Sequence, residues 1–140
     1  MGVHAIGGLT GTRFFSGTYD EALGLLRRSR DYLAGPGERD RARLSHNQGL
    51  IYSLESMRLT ARLTRVMAWL FVQRAVCGGE MTIMDARDDG FRLDNVAVCL
   101  EETKSPHALP TGLARLLTES DRLYRRVSRL DQMLRRDSRE

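Results

Sequence analysis

The spacing of apolar residues in the last third of the chain predicts one long helix. Between residues 113 and 134, one set of mainly apolar residues recurs in alternating steps of four and three positions. This spacing keeps one stripe of a helix against a neighbouring helix. Leu113, Leu117 and Tyr124 widen the stripe, which favours a helical bundle over a two-stranded coiled coil. The stripe positions are Leu116, Ser120, Leu123, Val127, Leu130 and Leu134.

A first helix is predicted nearer the N-terminus, between a capping signal and a strong stop. Thr18 and Glu21 have the spacing of a capping box, which places the helix start near Thr18. Gly35-Pro36-Gly37 ends this helix. The glycine-rich residues 1–13 before it are predicted to form a flexible tail.

A second, longer helix is predicted in the middle of the chain. It begins between Asp40 and Ser45 and runs to Val76, where Gly78-Gly79 stops it. Its apolar positions again recur at steps of four and three residues, so they predict a seam in the core or at a dimer interface. These positions are Leu59, Leu63, Val66 and Leu70.

Residues 79–108 connect the second helix to the last one and form an acidic insert. Between residues 79 and 105 there are seven acids and three bases, a net charge of −4. Residues 96–100 fit either a short helix or a strand-like stretch, and residues 88–90 predict a turn. The sequence therefore predicts an all-α protein: a three-helix bundle over residues 14–136, with an irregular insert and a short C-terminal tail at 137–140.

The predicted helix lengths favour a dimer. At ~1.5 Å per residue the first helix would span about 25 Å, the middle one about 50 Å and the last about 40 Å. A first helix this short would leave part of the apolar face of the middle helix uncovered. We therefore expect a homodimer, and the alternative is a monomer in which the insert covers that face.

The composition of the chain excludes several classes of protein. The 140 residues carry a net charge of +4, and Lys104 is the only lysine. The longest apolar run, residues 66–72, is far shorter than a membrane span. Two cysteines without CxxC spacing give no disulfide framework. No secretory signal is evident, so a soluble cytoplasmic protein without membrane contact is the expectation.

No catalytic motif is found in the sequence. The chain contains neither a phosphate-binding loop with its lysine nor a His-Glu-x-x-His metal pattern. Gly7, Gly8 and Gly11 lack both a lysine and a preceding strand. The three histidines are scattered, and the acid pair Glu101-Glu102 falls in a polar loop. We therefore predict no enzyme activity, no metal and no cofactor.

Two polar clusters are candidates for partner binding. Glu55, Arg58, Arg62 and Arg65 share one face of the middle helix, which is either a solvated stripe with one Glu–Arg pair or a partner-docking or interchain network. The last helix carries a larger arginine cluster, either a salt-bridged outer face or a phosphate-binding one. Exposed aromatics and helix-turn-helix spacing are missing, which makes nucleic acid the weaker alternative. The arginines are 115, 122, 125, 126, 129, 135 and 136.

Several segments together resemble the bacterial RcdA (regulator of CtrA degradation) family. The similarity covers residues 14–134 and is weakest across the insert. The segments are Phe14-Phe15, Tyr19-x-Glu21-Ala22, Glu55-Ser56-x-Arg58-Leu59-Thr60-x-Arg62-Leu63, Trp69-Leu70-x-x-Gln73-Arg74-Ala75-Val76, Gly79-Glu80, Leu109-Pro110, Leu116, Ser120, Leu123-Tyr124-x-Arg126-Val127 and Arg129-Leu130-Asp131.

The resemblance implies a dimeric three-helix-bundle adaptor that cleaves nothing itself. Such an adaptor helps the ClpXP protease take up regulatory proteins, notably cell-cycle regulators, alongside a response-regulator partner. A helical scaffold unrelated to proteolysis and an arginine-rich nucleic-acid-associated regulator are the alternatives. The expected partner-binding residues are Glu55, Arg58, Arg62, Arg65, Arg74, Arg122, Arg125, Arg126 and Arg129.

Overall fold

Every regular element of the computed structural model is helical within the residues it describes, 9–103 and 105–137, with side chains from residue 15 onward. The predicted all-α class is confirmed. Two 3-10 turns, Asp89–Phe91 and Pro106–Ala108, lie among the helices. The helices are α1 (Leu9–Ala34), α2 (Pro36–Ala42), α3 (His46–Cys77), α4 (Ile83–Ala86), α5 (Ala97–Leu100) and α6 (Thr111–Asp137).

The core forms where the three long helices α1, α3 and α6 contact one another in pairs. The predicted apolar seams of α3 and α6 both face this core. Because each large apolar side chain gains about 1.5–3 kcal/mol on burial, the two seams account for much of its stability. The seam residues Leu59, Leu63, Val66, Leu70, Leu116, Leu123 and Val127 are buried, and Leu130 is partly buried.

The ends of α3 follow from signals in the sequence. Ser45 is the N-cap: its side chain accepts a hydrogen bond from the backbone of Gln48, and the Gln48 side chain accepts one from the backbone of Ser45. This reciprocal pair satisfies two backbone N–H groups at the helix start. The helix ends at Cys77, before the predicted glycine pair. The predicted bounds of α3 are therefore confirmed to within one residue.

The predicted start of α1 is wrong, because the helix begins at Leu9 instead of near Thr18. Thr18 is buried inside the helix, so it is not its cap. Phe15, one turn earlier, packs edge-on against Trp69 of α3 with ring centroids 5.9 Å apart. Packing against another helix extends α1 beyond the start that its local capping signal indicates. Residues 9–13 of the predicted tail are helical, and residues 1–8 and 138–140 lie outside the described range.

The longer α1 removes the length argument for a dimer. With 26 residues, α1 spans about 39 Å beside the roughly 48 Å of α3. A second copy is therefore not needed to cover the core side of α3. Any dimer must use a different surface of the protein.

Two tyrosines close the end of the core where α1, α2 and α6 meet. The hydroxyl of Tyr32 donates a hydrogen bond to Asp40 at 2.7 Å, and burial raises the pKa of Tyr32 above its usual range. Gly37 lies against both rings: a Cβ at this position would be 2.5 Å from Tyr52 Oη and 2.7 Å from the carbonyl oxygen of Tyr32. The close approach of backbone and rings therefore requires glycine at position 37.

We expect Gly37→Ala to lower the free energy of unfolding by about 1–3 kcal/mol, because the added methyl group overlaps a backbone oxygen. Gly24→Ala is the matched control. A Cβ at Gly24 meets nothing within 4 Å, and alanine is favoured over glycine inside a helix by about 0.8–1 kcal/mol. Urea unfolding of both variants checks the pair. Equal stability of the two variants would contradict the close packing at Gly37.

Candidate partner-binding surfaces

Three members of the first polar cluster lie inside the protein. Glu55, Arg58 and Arg62 are each only 1% exposed. The predicted Glu–Arg pair is present, with Arg58 Nε 3.1 Å from Glu55 Oε2. The predicted solvated stripe is wrong for these three residues, since they face α6 and the insert. Arg65 is the exposed member, and it donates a hydrogen bond to the carbonyl of Gly90 at 3.1 Å.

The guanidinium groups of Arg58, Arg62 and Arg125, here called the arginine clamp, hold the C-terminal end of α5. A helix of four residues leaves most of its carbonyls without an intrahelical partner, and its C-terminal end attracts cations. The clamp supplies donors to four consecutive carbonyls. The bonds are Arg58 Nη1 to Val98 O (2.8 Å), Arg62 Nε to Cys99 O (2.9 Å), Arg125 Nη2 to Leu100 O (3.0 Å) and Arg62 Nη2 to Glu101 O (3.1 Å).

Arg62 is the centre of the clamp. Besides α5, it donates to Leu117 O at 3.2 Å and to Ser120 Oγ at 3.3 Å on α6. Burial lowers the pKa of Arg62, and the carboxylate of Asp121, 3.5 Å away, acts in the opposite direction. An arginine remains charged in proteins, so this buried cation is compensated by the carbonyls and by one carboxylate.

A second set of contacts fastens the first half of the insert to the long helices. Arg135 donates to the carbonyl of Arg87 at 2.8 Å and pairs with Asp131 at 3.0 Å. The indole of Trp69 donates to the same Asp131 at 2.9 Å. Tyr124 donates to the backbone of Leu93. The insert is therefore held by side chains of α3 and α6 along most of its length.

Two i,i+4 ion pairs lie along α6. Asp121 pairs with Arg125, and Asp131 pairs with Arg135, each with a nitrogen–oxygen distance of 3.0 Å. Arg126 is exposed and pairs with Glu21 of α1. The arginines of α6 therefore differ in role: Arg125 and Arg135 fasten the insert, and Arg126 faces solvent.

The candidate partner residues that remain at the surface are Arg65, Arg74, Arg122, Arg126 and Arg129. Exposed guanidinium groups of this kind are accessible to a partner without unfolding the protein. Arg125 is half-buried in the clamp. Fewer of the candidate arginines of α6 are therefore accessible to a partner than the sequence indicated.

Arg74 borders a hollow between α1 and α3. Its guanidinium lies over the ring of Tyr19, 5.7 Å from the centroid. The hollow has a volume of about 240 Å³, and Phe15, Leu70 and Cys77 also line it. Burial raises the pKa of the Cys77 thiol, which disfavours the reactive thiolate. The hollow is mainly apolar, with a cation at its edge.

The outer face of α3 carries an exposed apolar stripe in addition to the core seam. Leu50, Leu54, Met57 and Phe71 are 58%, 48%, 68% and 50% exposed. They recur at the same steps of four and three residues as the core seam, but on the opposite side of the helix. We call the whole set the α3 outer stripe: Leu50, Leu54, Met57, Ala61, Thr64, Ala68 and Phe71.

The sequence of α3 contains a second set of residues with seven-residue periodicity, and this pattern indicates the stripe. A helix that is apolar on two opposite sides buries one side in the core, and the other is left for a partner. The sequence alone shows both patterns and does not state which of them is internal.

Two other kinds of site are not found among the described residues. No three His, Cys, Asp or Glu side chains there come together in an arrangement that could hold a metal ion. None of the helices in the described ranges combines the length and apolar character needed to span a membrane.

Comparisons with known proteins identify the family. Residues 8–140 match a family described as a protein of unknown function, DUF1465. The chain is also similar to RcdA from Caulobacter crescentus CB15, which is known from a crystal structure. The two sequences are 39% identical, and the match covers 86% of this chain and 89% of that chain with a TM-score of 0.66. No curated protein matches the chain. The chain therefore belongs to the RcdA family.

Proposed function

We propose that the protein is a non-enzymatic adaptor that helps to deliver regulatory proteins, such as cell-cycle regulators, to the ClpXP protease. The observation that carries this proposal is the 39% identity to RcdA over 86% of the chain. An adaptor of this kind works by holding a client near the protease, which raises its effective concentration there. The proposed partners are ClpX with ClpP, a response-regulator-type protein and client regulators, all in the cytoplasm.

The surfaces of the protein support a role in binding. The α3 outer stripe and the exposed arginines of α6 lie on separate helices, so two partners have separate places to bind. Mixed apolar and charged surfaces favour fast and reversible encounters. The insert, fastened by the arginine clamp, keeps α3 and α6 in a fixed relation to each other.

We further infer that α1, α3 and α6 form a three-helix bundle and that two copies pair through the α3 outer stripe. Ala61, Thr64 and Ala68 place small side chains at the middle of the stripe, with large apolar residues at both ends. Two α3 helices that cross at these small residues approach closely, and the large residues then pack on either side of the crossing. A two-fold dimer uses the same patch on both copies, which this arrangement allows.

The double variant Leu54→Glu/Met57→Glu tests this dimer. Because both side chains are exposed in one copy, we expect unchanged helicity but a molar mass half that of the unmodified protein. Light scattering after size-exclusion chromatography measures the mass. The matched control is Ser53→Glu, on the same helix and next to the stripe. A monomeric unmodified protein, or a double variant that keeps the dimer mass, would contradict the proposed interface.

Crosslinking in the native cells tests the adaptor role. The tagged protein is captured after nuclease treatment, and the bound proteins are identified by mass spectrometry. We expect ClpX, a response regulator or short-lived regulatory proteins in the capture. Partners that disappear with nuclease would instead support a nucleic-acid-associated regulator, and stable partners without any protease link would support a scaffold.

A further inference from the structure

Four arginines form a row on the outer face of α6. Arg115, Arg122, Arg129 and Arg136 are separated by seven residues each, and all four are exposed. Seven residues are close to two helical turns, so consecutive members lie about 10.5 Å apart and the row spans about 32 Å. We call this row the arginine ridge. It runs along the side of α6 that faces away from the core.

The ridge arginines differ from Arg125, Arg126 and Arg135 of α6 in having no side-chain partner among the residues that the structure describes. Within the described parts of the chain, none of the four makes a side-chain hydrogen bond or an ion pair. Arg125, Arg126 and Arg135, by contrast, each pair with a carboxylate of the same chain. Among the described residues, the ridge is therefore a line of positive charge without directly paired carboxylates.

Acidic side chains flank the ridge on both sides. On one side lie Glu101 and Glu102 of the insert, both exposed, and Asp121. On the other side, Glu21 and Glu119 pair with arginines across the α1–α6 boundary. The positive surface is accordingly one side chain wide. Duplex DNA presents phosphates on both sides of a groove, and a ligand that broad would meet these flanking carboxylates.

We infer that the arginine ridge binds an acidic helix of a partner protein, one that carries Asp or Glu at seven-residue intervals. A helix with this repeat places its carboxylates about 10.5 Å apart in a row, which matches the spacing of the ridge. Arginine pairs with carboxylates in a bidentate manner, so four pairs fix the register of the two helices. This inference rests on the proposed adaptor function, because an adaptor of this kind binds other proteins.

The test uses a designed probe and the full-length protein. The probe is a fluorescein-labelled 28-residue helical peptide of alanine and glutamine with Glu at positions 4, 11, 18 and 25, measured by fluorescence anisotropy at 20 mM salt. We expect binding by the unmodified protein and at least tenfold weaker binding by Arg122→Glu/Arg129→Glu. The control is Arg27→Glu/Arg39→Glu, which reverses two exposed charges on α1 and α2 and is expected to bind as the unmodified protein does.

Two further probes separate the other possible occupants. A peptide of the same composition with its four Glu residues clustered at one end tests the spacing, and a 20-base-pair DNA duplex tests nucleic acid. The inference is overturned if the spaced-Glu peptide does not bind at 20 mM salt, or if the clustered-Glu peptide binds equally well. It is also overturned if Arg122→Glu/Arg129→Glu binds as well as the control variant, or if the DNA duplex binds more tightly than the peptide. Because the assay contains no protease component, its failure would leave the adaptor proposal intact, and failure of the capture experiment would leave the ridge intact.

Discussion

Replacing Arg62 with alanine is expected to lower the free energy of unfolding by about 3–5 kcal/mol, the range typical for removing one partner of a buried charged network. Arg62 is 1% exposed and holds carbonyls of both the insert and α6. The variant would leave these carbonyls buried without a donor and open a cavity beside them. Urea unfolding followed by circular dichroism measures the loss.

Two variants control for this prediction. Arg62→Lys keeps the charge but not the branched set of donors, so it is expected to recover only part of the stability. Arg122→Ala removes an exposed arginine from α6 and is expected to change the stability by less than about 0.5 kcal/mol. If Arg62→Ala proved as stable as Arg122→Ala, the clamp would not contribute to folding.

The second large effect is expected for Leu63→Asp, which should unfold the protein. Leu63 is 1% exposed in the seam where α3 meets the other long helices. The substitution removes an apolar side chain, which costs about 2–5 kcal/mol in itself, and it forces a carboxylate into a site without a partner. The sum approaches the 5–15 kcal/mol that stabilises a typical domain. Loss of the helical circular dichroism signal and of cooperative melting is the expected observation.

Thr60→Asp is the matched control for Leu63→Asp. Thr60 lies three residues earlier on the same helix and is exposed. We expect Thr60→Asp to retain the helical signal and a cooperative transition. A folded Leu63→Asp variant would refute the assignment of this seam to the core, whereas loss of structure in both variants would show that α3 tolerates no new acid.

The burial of Arg58 changes how its substitution is to be interpreted. A charge reversal at Arg58 would place two carboxylates, that of Glu55 and its own, in one buried site and would disturb folding. Loss of partner binding in such a variant would therefore not show that Arg58 contacts the partner. Substitutions at Arg122 or Arg129 are suitable for binding experiments, since both side chains are exposed and neither holds the insert.

Local patterns were sufficient to predict α3 and α6, whereas the short helices α2 and α4 were not predicted. The capping box at Ser45 and the glycines after Cys77 mark the ends of α3, and the stripe from Leu116 to Leu134 defines α6. These signals act over a few residues, so they can be recognised without tertiary information. The early start of α1 could not be predicted, because it depends on the packing of Phe15 against Trp69 of another helix.

The candidate site was harder to predict than the fold. Polar residues at steps of three and four occupy one face of a helix, whether water or the rest of the chain covers that face. Arg58 and Arg62 therefore have the same pattern in the sequence as a solvated stripe. Their burial depends on carbonyls at residues 98–101, about 40 positions further along the chain, which no local spacing can indicate.

The sequence by itself determined the all-helical class, the positions of α3 and α6 and the membership in the RcdA family, since periodicity, capping signals and motifs are properties of short stretches. Only the tertiary structure decided which arginines are internal and which are free for a partner. It also decided which of the two apolar sides of α3 faces solvent. Burial depends on contacts between segments that are distant in the chain, and these contacts exist only once the helices have packed.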